Sequence, residues 1–305
     1  MWDMNAAIRQ DDYGFFGPGS PSWKVWAAPT ALIGFQRSVV LEHFDPFLAA
    51  AVADSAGIYS DPRRRLDRTL AYFLTVAVAD GRTAVGVSDA LMRVHAKAKG
   101  IEPISGARYS ANNPVAQLWI HVTGWHSVLK CYERYGPGPL SPSEEARYWA
   151  ESRIAAELQT CKPSDVPASR TEVRQYFADV RAKLCTSEHA DRAMRYLLWT
   201  PQDRGVRFWA GSRIMAPAAI ATLPKWMRHM GGFDQPAAVD AAVTPMARAV
   251  VRAMSADDSR LMLAMSRRLV PETAKVLAQH LTAGPPADPR TVSPTQVRER
   301  LVALA

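Results

Sequence analysis

Apolar positions recur at helical spacing through most of the chain, and no stretch shows the strict alternation of a half-buried strand. Two consecutive segments carry the clearest pattern. Residues 61–80, DPRRRLDRTLAYFLTVAVAD, open on Asp61-Pro62, a capping acceptor followed by proline at the first helical position. Residues 82–99, RTAVGVSDALMRVHAKAK, follow across Asp80-Gly81 and are expected to stop at Gly100. On the first segment Arg65, Arg68, Thr69 and Tyr72 fall at i, i+3, i+4 and i+7, so all four emerge from one face. On the second, His95 shares the expected inward stripe with Leu91, Val87 and Ala84. Folded back on each other at Gly81, the two helices would set the histidine against the arginine cluster across a space suited to an anionic, flat, apolar cofactor.

The same reading predicts helices over residues 29–44 and 46–55, separated at Asp45-Pro46, and over 114–135 behind the Asn113-Pro114 cap. A capping box, Ser141 to Glu144, starts another that ends near Thr160. Further helices are expected at 170–187, 189–199, 202–223, 236–255 and 257–282. The Gly-, Pro- and Ser-rich stretch Tyr13 to Ser22 is expected as an ordered loop anchored by Phe15, Phe16, Trp23 and Trp26. These signals describe an all-α protein built as a single large helical bundle over residues 1–283. Residues 284–305 are expected as a linker, AGPPADPRTVSP, and a short C-terminal helix, TQVRERLVALA, with an apolar side to dock on the body. The polar loop CKPSDVPAS, residues 161–169, is the best subdomain boundary, yet falls within one fold.

Composition narrows the function classes. A chain of 305 residues that is 48% hydrophobic can bury a large core. Its net charge of +8 is spread along the chain without a block of five or six like charges, so a solvated surface is expected and no nucleic-acid partner. The run Arg63, Arg64, Arg65 and Arg68 is the local exception, with Arg63 and Arg64 assigned to solvent or surface ion pairs. Three widely spaced cysteines, Cys131, Cys161 and Cys185, form neither a zinc pattern nor a disulfide framework. The N-terminus MWDMNAAIRQDD lacks a basic and apolar leader, and no run of about 18 apolar residues exists, so the expectation is a cytoplasmic chain without a membrane span.

Several segments together resemble a known family: FGPGSPSW, PRRRLDRT, the histidine at 95, RYSANNP, LWIHVTGWHSVL and ARYWAE. They are similar to the heme-dependent oxygenases that include the latex-clearing rubber oxygenases and the mpaB-type oxygenase of mycophenolic acid biosynthesis. The similarity runs from about Phe16 to about Glu151. It implies a helical fold holding a noncovalent b-type heme, with His95 as the proximal iron ligand. On the distal side the family carries an Arg-x-x-Lys-Thr motif, matched here by Arg65, Arg68 and Thr69. Three departures stand out: Asp45-Pro46 replaces a His-Pro pair, so neighbouring His43 does not inherit that histidine's role; Asn113-Pro114 replaces Asp-Pro; and Arg68 replaces the lysine.

The last departure changes chemistry. The family's lysine can shed its proton and occupy the distal iron position, whereas a guanidinium stays protonated and offers no lone pair. Arg68 is therefore expected to donate hydrogen bonds to oxygen or peroxide, with Thr69 adding a hydroxyl. Leu91, Phe73 and Leu118 are expected to line the porphyrin slot, and Arg65 to face the cofactor. A further family histidine matches His121, for which three roles compete: a hydrogen bond near the heme, the other axial ligand, or core packing. The rubber oxygenases also use a distal glutamate, for which Glu42 is the nearest candidate.

The resemblance implies an oxidoreductase that activates O2 or peroxide to oxidise an apolar small molecule. Two other classes fit the residues. One is a heme protein that senses or stores without turnover. The other is a helical interaction protein in which His95 and Trp119 are core residues, since a lone histidine on an apolar helix face is usually a hydrogen-bonded core residue.

Overall fold

The computed structural model describes residues 8–55, 57–255 and 260–303. The N-terminal leader question concerns residues of which the first seven lie outside that range. Among the described residues the chain forms sixteen α-helices, three short 3-10 turns and one two-stranded ribbon, an all-α fold.

The N-terminal loop leads into α1 (Pro21–Trp26), whose first turn is capped by Ser20. Phe15, Phe16 and Trp26 are buried as expected, and the loop is tied to the body by Glu151, which accepts from Ser20 Oγ at 2.9 Å and Ser22 N at 3.1 Å. Next come α2 (Ala31–Glu42), α3 (Pro46–Ser55), α4 (Gly57–Ser60), α5 (Pro62–Val78) and α6 (Gly81–His95). Asp61 caps α5 through Arg64 N at 3.2 Å, and Asp80 caps α6 through Thr83 N at 2.8 Å. The two helices pack as a hairpin, joined midway by Tyr72 and Ser88 at 3.3 Å. Their turn lies at one end; the arginines and His95 lie at the other.

α6 ends at His95, short of the stop expected at Gly100. The chain instead forms β1 (Lys99–Ile101) paired antiparallel with β2 (Arg108–Ser110), Gly100 opposite Tyr109. A Cβ at Gly100 would lie 2.6 Å from the Tyr109 ring, so the glycine is there for close approach to an aromatic side chain and not for a helix cap. Three residues per strand are too few for alternation to be visible in the sequence.

α7 (Pro114–Tyr135) is the central helix, and α2 lies directly on it. The contact depends on Gly34, where an added Cβ would sit 2.7 Å from Val128 Cα. Beside it the fully buried Arg37 donates to Thr222 O at 3.1 Å and Ser127 Oγ at 2.6 Å, stitching α2 to α7 and to the end of a later helix. Burial lowers its pKa to about 10, which leaves it charged.

The remaining helices are α8 (Pro142–Ala156), α9 (Arg170–Val180), α10 (Glu188–Leu198), α11 (Val206–Thr222), α12 (Lys225–Met230), α13 (Ala237–Ser255), α14 (Arg260–Leu269), α15 (Pro271–Thr282) and α16 (Pro294–Ala303). The single helix expected at 257–282 is divided at Val270, whose extended φ of −140° precedes Pro271; residues 257–259 lie outside the described range. α12 was not anticipated. Asp67 of α5 accepts from the first amides of α15, Glu272 N at 2.9 Å and Thr273 N at 2.8 Å, so the arginine helix caps the helix that covers it. The segment expected as a linker pairs with the N-terminal loop instead, Ala287 N to Gln10 O at 3.0 Å and Val292 N to Gly14 O at 2.9 Å. α16 then docks on α6 through buried Val297. No helix among the described residues is long and apolar enough to cross a membrane.

Candidate functional site

A cleft of about 2240 Å3 opens at the free end of the α5–α6 hairpin, walled by α2, α7, α10, α11, α14 and α15. Typical small-molecule sites occupy roughly 300–1,000 Å3, so this one has room for a large flat cofactor and a second molecule. Its interior is apolar, with Phe35, Val39, Phe73, Leu91, Ile120 and Met215 in the walls. Leu91 and Phe73 stand where the sequence reading put them. Leu118 does not: it packs against Ala156, Cys161 and Val166, on the opposite side of α7.

His95, Arg65, Arg68, Thr69, Glu42 and His43 all line the cleft. His95 is the last residue of α6 and is half-buried. Desolvation, reinforced by the positive charge of Arg65, lowers its pKa from an already sub-neutral value, so the imidazole is neutral at pH 7. Gln117 of α7 approaches its Nδ1 at 3.4 Å through the same amide nitrogen that donates to Ala111 O at 2.6 Å. Gln117 is a site residue that spacing alone did not single out; the cue was its place one turn before His121 on a buried face.

Arg65 reaches inward. Its Nη1 donates to Ser55 Oγ at 2.9 Å, and it acts electrostatically on Glu42, His43 and His95 together. Arg68 is exposed at the mouth, while the Thr69 hydroxyl donates to Arg65 O at 2.8 Å, so its proton is committed within the helix. Arg63 is exposed, as expected, but its surface partners are not carboxylates: the guanidinium holds the last carbonyls of α14, donating to Leu269 O at 3.0 Å and to Arg268 O.

Glu42 accepts from Ser38 Oγ at 2.6 Å. Burial dominates over that hydrogen bond and over Arg65, and raises the carboxyl pKa to about 7. His43 Nδ1 lies 2.5 Å from Val39 O, a pure acceptor, so Nδ1 carries the proton and Nε2 carries the lone pair. That Nε2 is buried without a hydrogen-bond partner among the described residues, and desolvation holds the ring's pKa at about 4.

His121 is placed elsewhere. It borders a separate void of about 10 Å3 with Phe16, Trp26 and Trp125, and its Nε2 meets Ser152 O at 2.9 Å. Of the three competing roles, these contacts are those of core packing.

Among the described residues no group of three or more His, Cys, Asp or Glu side chains converges to hold a bare metal ion. A metal carried by a macrocycle would need only one such ligand from the protein. A neutral, half-buried imidazole, an apolar hollow of ample volume and a ring of cations fit that requirement.

No curated protein and no solved structure matches the chain. A family match does exist: over residues 23–256, more than half of the chain, the sequence fits the family described as ER-bound oxygenase mpaB/B'/Rubber oxygenase, catalytic domain. That span contains α2 to α7 and every cleft residue named above except those of α14 and α15, and the chain belongs to the mpaB and rubber oxygenase catalytic-domain family.

Proposed function

We propose that this protein is a heme b-dependent oxygenase whose iron is held by His95 and whose cleft admits an apolar small molecule together with O2 or peroxide. The observation that carries the reading is the position of a neutral His95 on the wall of a large apolar cleft, facing the field of Arg65, in a member of an oxygenase family. The heme supplies the redox-active iron at which oxygen is activated. Gln117, anchored by its amide nitrogen on Ala111 O and approaching His95 Nδ1 with the same nitrogen, is the α7 side chain that would position the imidazole. Arg65 provides a fixed positive charge for a propionate or for an anionic reacting oxygen. Arg68, unable to ligate, donates hydrogen bonds from the mouth; Thr69 orients the arginine turn through its bond to Arg65 O. Glu42, poised near neutral pH, is the group that can hold or pass a proton inside the cleft. The helical body over residues 1–283 forms one unit in this reading, with residues 284–305 as its C-terminal strap.

Expression with a heme precursor should give a coloured protein with a Soret band. His95→Ala should lose heme or shift that band, and His121→Ala, where folded, should keep it. A colourless wild-type protein, or an unchanged spectrum in His95→Ala, would overturn the assignment; the latter result would point to His43, whose Nε2 lone pair is free.

A further inference from the structure

Arg64, Arg68, Arg93, Lys97 and Arg108 all line the cleft, and all five are exposed at its rim. Topology brings them together. The first turns of α5 and the end of α6 meet at the open end of the hairpin, β1 follows α6 within a few residues, and β2 pairs with it, Arg108 opposite Ile101. Among the described residues none of the five side chains has an ion-pair partner, because the carboxylates sharing the lining are already engaged. Glu42 accepts from Ser38, Asp45 from Leu48 N, Asp61 from Arg64 N, and Asp67 from the start of α15, while Glu272 pairs with Lys275 at 3.6 Å. Behind the rim the walls turn apolar, through Leu32, Phe35, Val39, Phe73 and Ile120.

Scattered surface cations need no ligand. A rim of unpaired cations above a deep apolar hollow is complementary to a molecule charged at one end and apolar along its length. A heme carries two propionates, fewer than the cations available. We propose that the substrate is an anionic amphiphile, its carboxylate or phosphate head group held by Arg93, Lys97 and Arg108 and its chain lying in the apolar interior. This rests on the oxygenase reading and amends its substrate from a wholly apolar molecule to one that is apolar along its length and anionic at one end.

The test is equilibrium dialysis of the full-length purified protein with three probes that share one chain: laurate, dodecyl phosphate and dodecanol. At low salt at least one anion should bind about tenfold or more tightly than the alcohol, and the advantage should shrink as salt screens the exposed rim. The double variant Arg93→Glu/Lys97→Glu should abolish the advantage while dodecanol binding stays as in the wild type. The milder Arg93→Gln/Lys97→Gln pair, checked for folding by circular dichroism, should reduce it. Tighter laurate identifies a carboxylate head group, tighter dodecyl phosphate a phosphate. Equal binding of all three probes, or an anion preference that survives both double variants and Arg108→Glu, overturns the proposal. Dialysis does not depend on colour, so a protein without a Soret band would refute the heme assignment and leave this result to be judged separately.

Discussion

Glu42 shows how one residue's chemistry is set by what surrounds it. In water its carboxyl would ionise near the ordinary glutamate value, but burial raises the pKa to about 7 against the opposing pull of Ser38, Thr123 and Arg65. The sign follows. The folded state binds this proton more tightly than the unfolded state, so its contribution to stability is fully present below the unfolded pKa and is lost as pH rises through about 7. Glu42→Gln should therefore match wild-type stability at or below the unfolded value of 4.5, begin to exceed it as pH rises from there, and lead by of order 1–3 kcal/mol above pH 7, the lower end reflecting solvent access from the cleft. Urea unfolding at the two pH values measures the difference. If Glu42 also moves a proton in turnover, the same variant should flatten the part of the rate profile centred near neutral pH.

At the scale of elements, the site depends on how closely α2 can lie on α7. Gly34 permits the contact: the Cβ of an alanine there would stand 2.7 Å from Val128 Cα, which cannot yield without moving α7. Gly34→Ala should destabilise by about 1–3 kcal/mol, the usual cost of overpacking, even though alanine is the better helix former. Gly124→Ala is the internal control, since its Cβ would meet only Ser38 Oγ at 3.9 Å. Thermal unfolding should separate the two, with Gly124→Ala neutral or stabilised. Asp67 makes a related point: it sits amid the arginine run, yet its carboxylate accepts from the first amides of α15, about two hundred residues along the chain, where the N-cap residue Val270 has no side-chain acceptor to offer.

For the molecule as a whole, buried neutral histidines set the response to acid. His43, His121 and His280 all have pKa values lowered to about 4, chiefly by desolvation. A depressed pKa means stability that is present above the unfolded value of 6.5 and lost as pH falls toward 4. The melting temperature should hold above pH 6.5 and drop steeply between 6 and 4, and His121→Asn should soften that drop. A melting temperature insensitive to pH across this window would show that the three rings are not buried as described.

Helix content, most helix boundaries and the pairing of the arginine and histidine helices were legible along the chain, because caps, prolines and apolar spacing act over a few residues. α5, α7 and α10 lie within a residue or two of the expected spans, and the family resemblance from about Phe16 to Glu151 falls largely inside the matched residues 23–256. What lay beyond reach depended on distant groups. That Leu118 and His121 turn from the cleft, that Thr69's hydroxyl is spent on its own helix, and that Arg65 and not Arg68 reaches inward are matters of rotation about helix axes and of which neighbour covers each face. The near-neutral carboxyl of Glu42, the free nitrogen of His43 and the uncompensated cations of the rim exist only once α2, α5, α6, α10 and α15 have closed around one space. Local signals form helices; desolvation and charge at a site come from the packing of segments far apart in sequence.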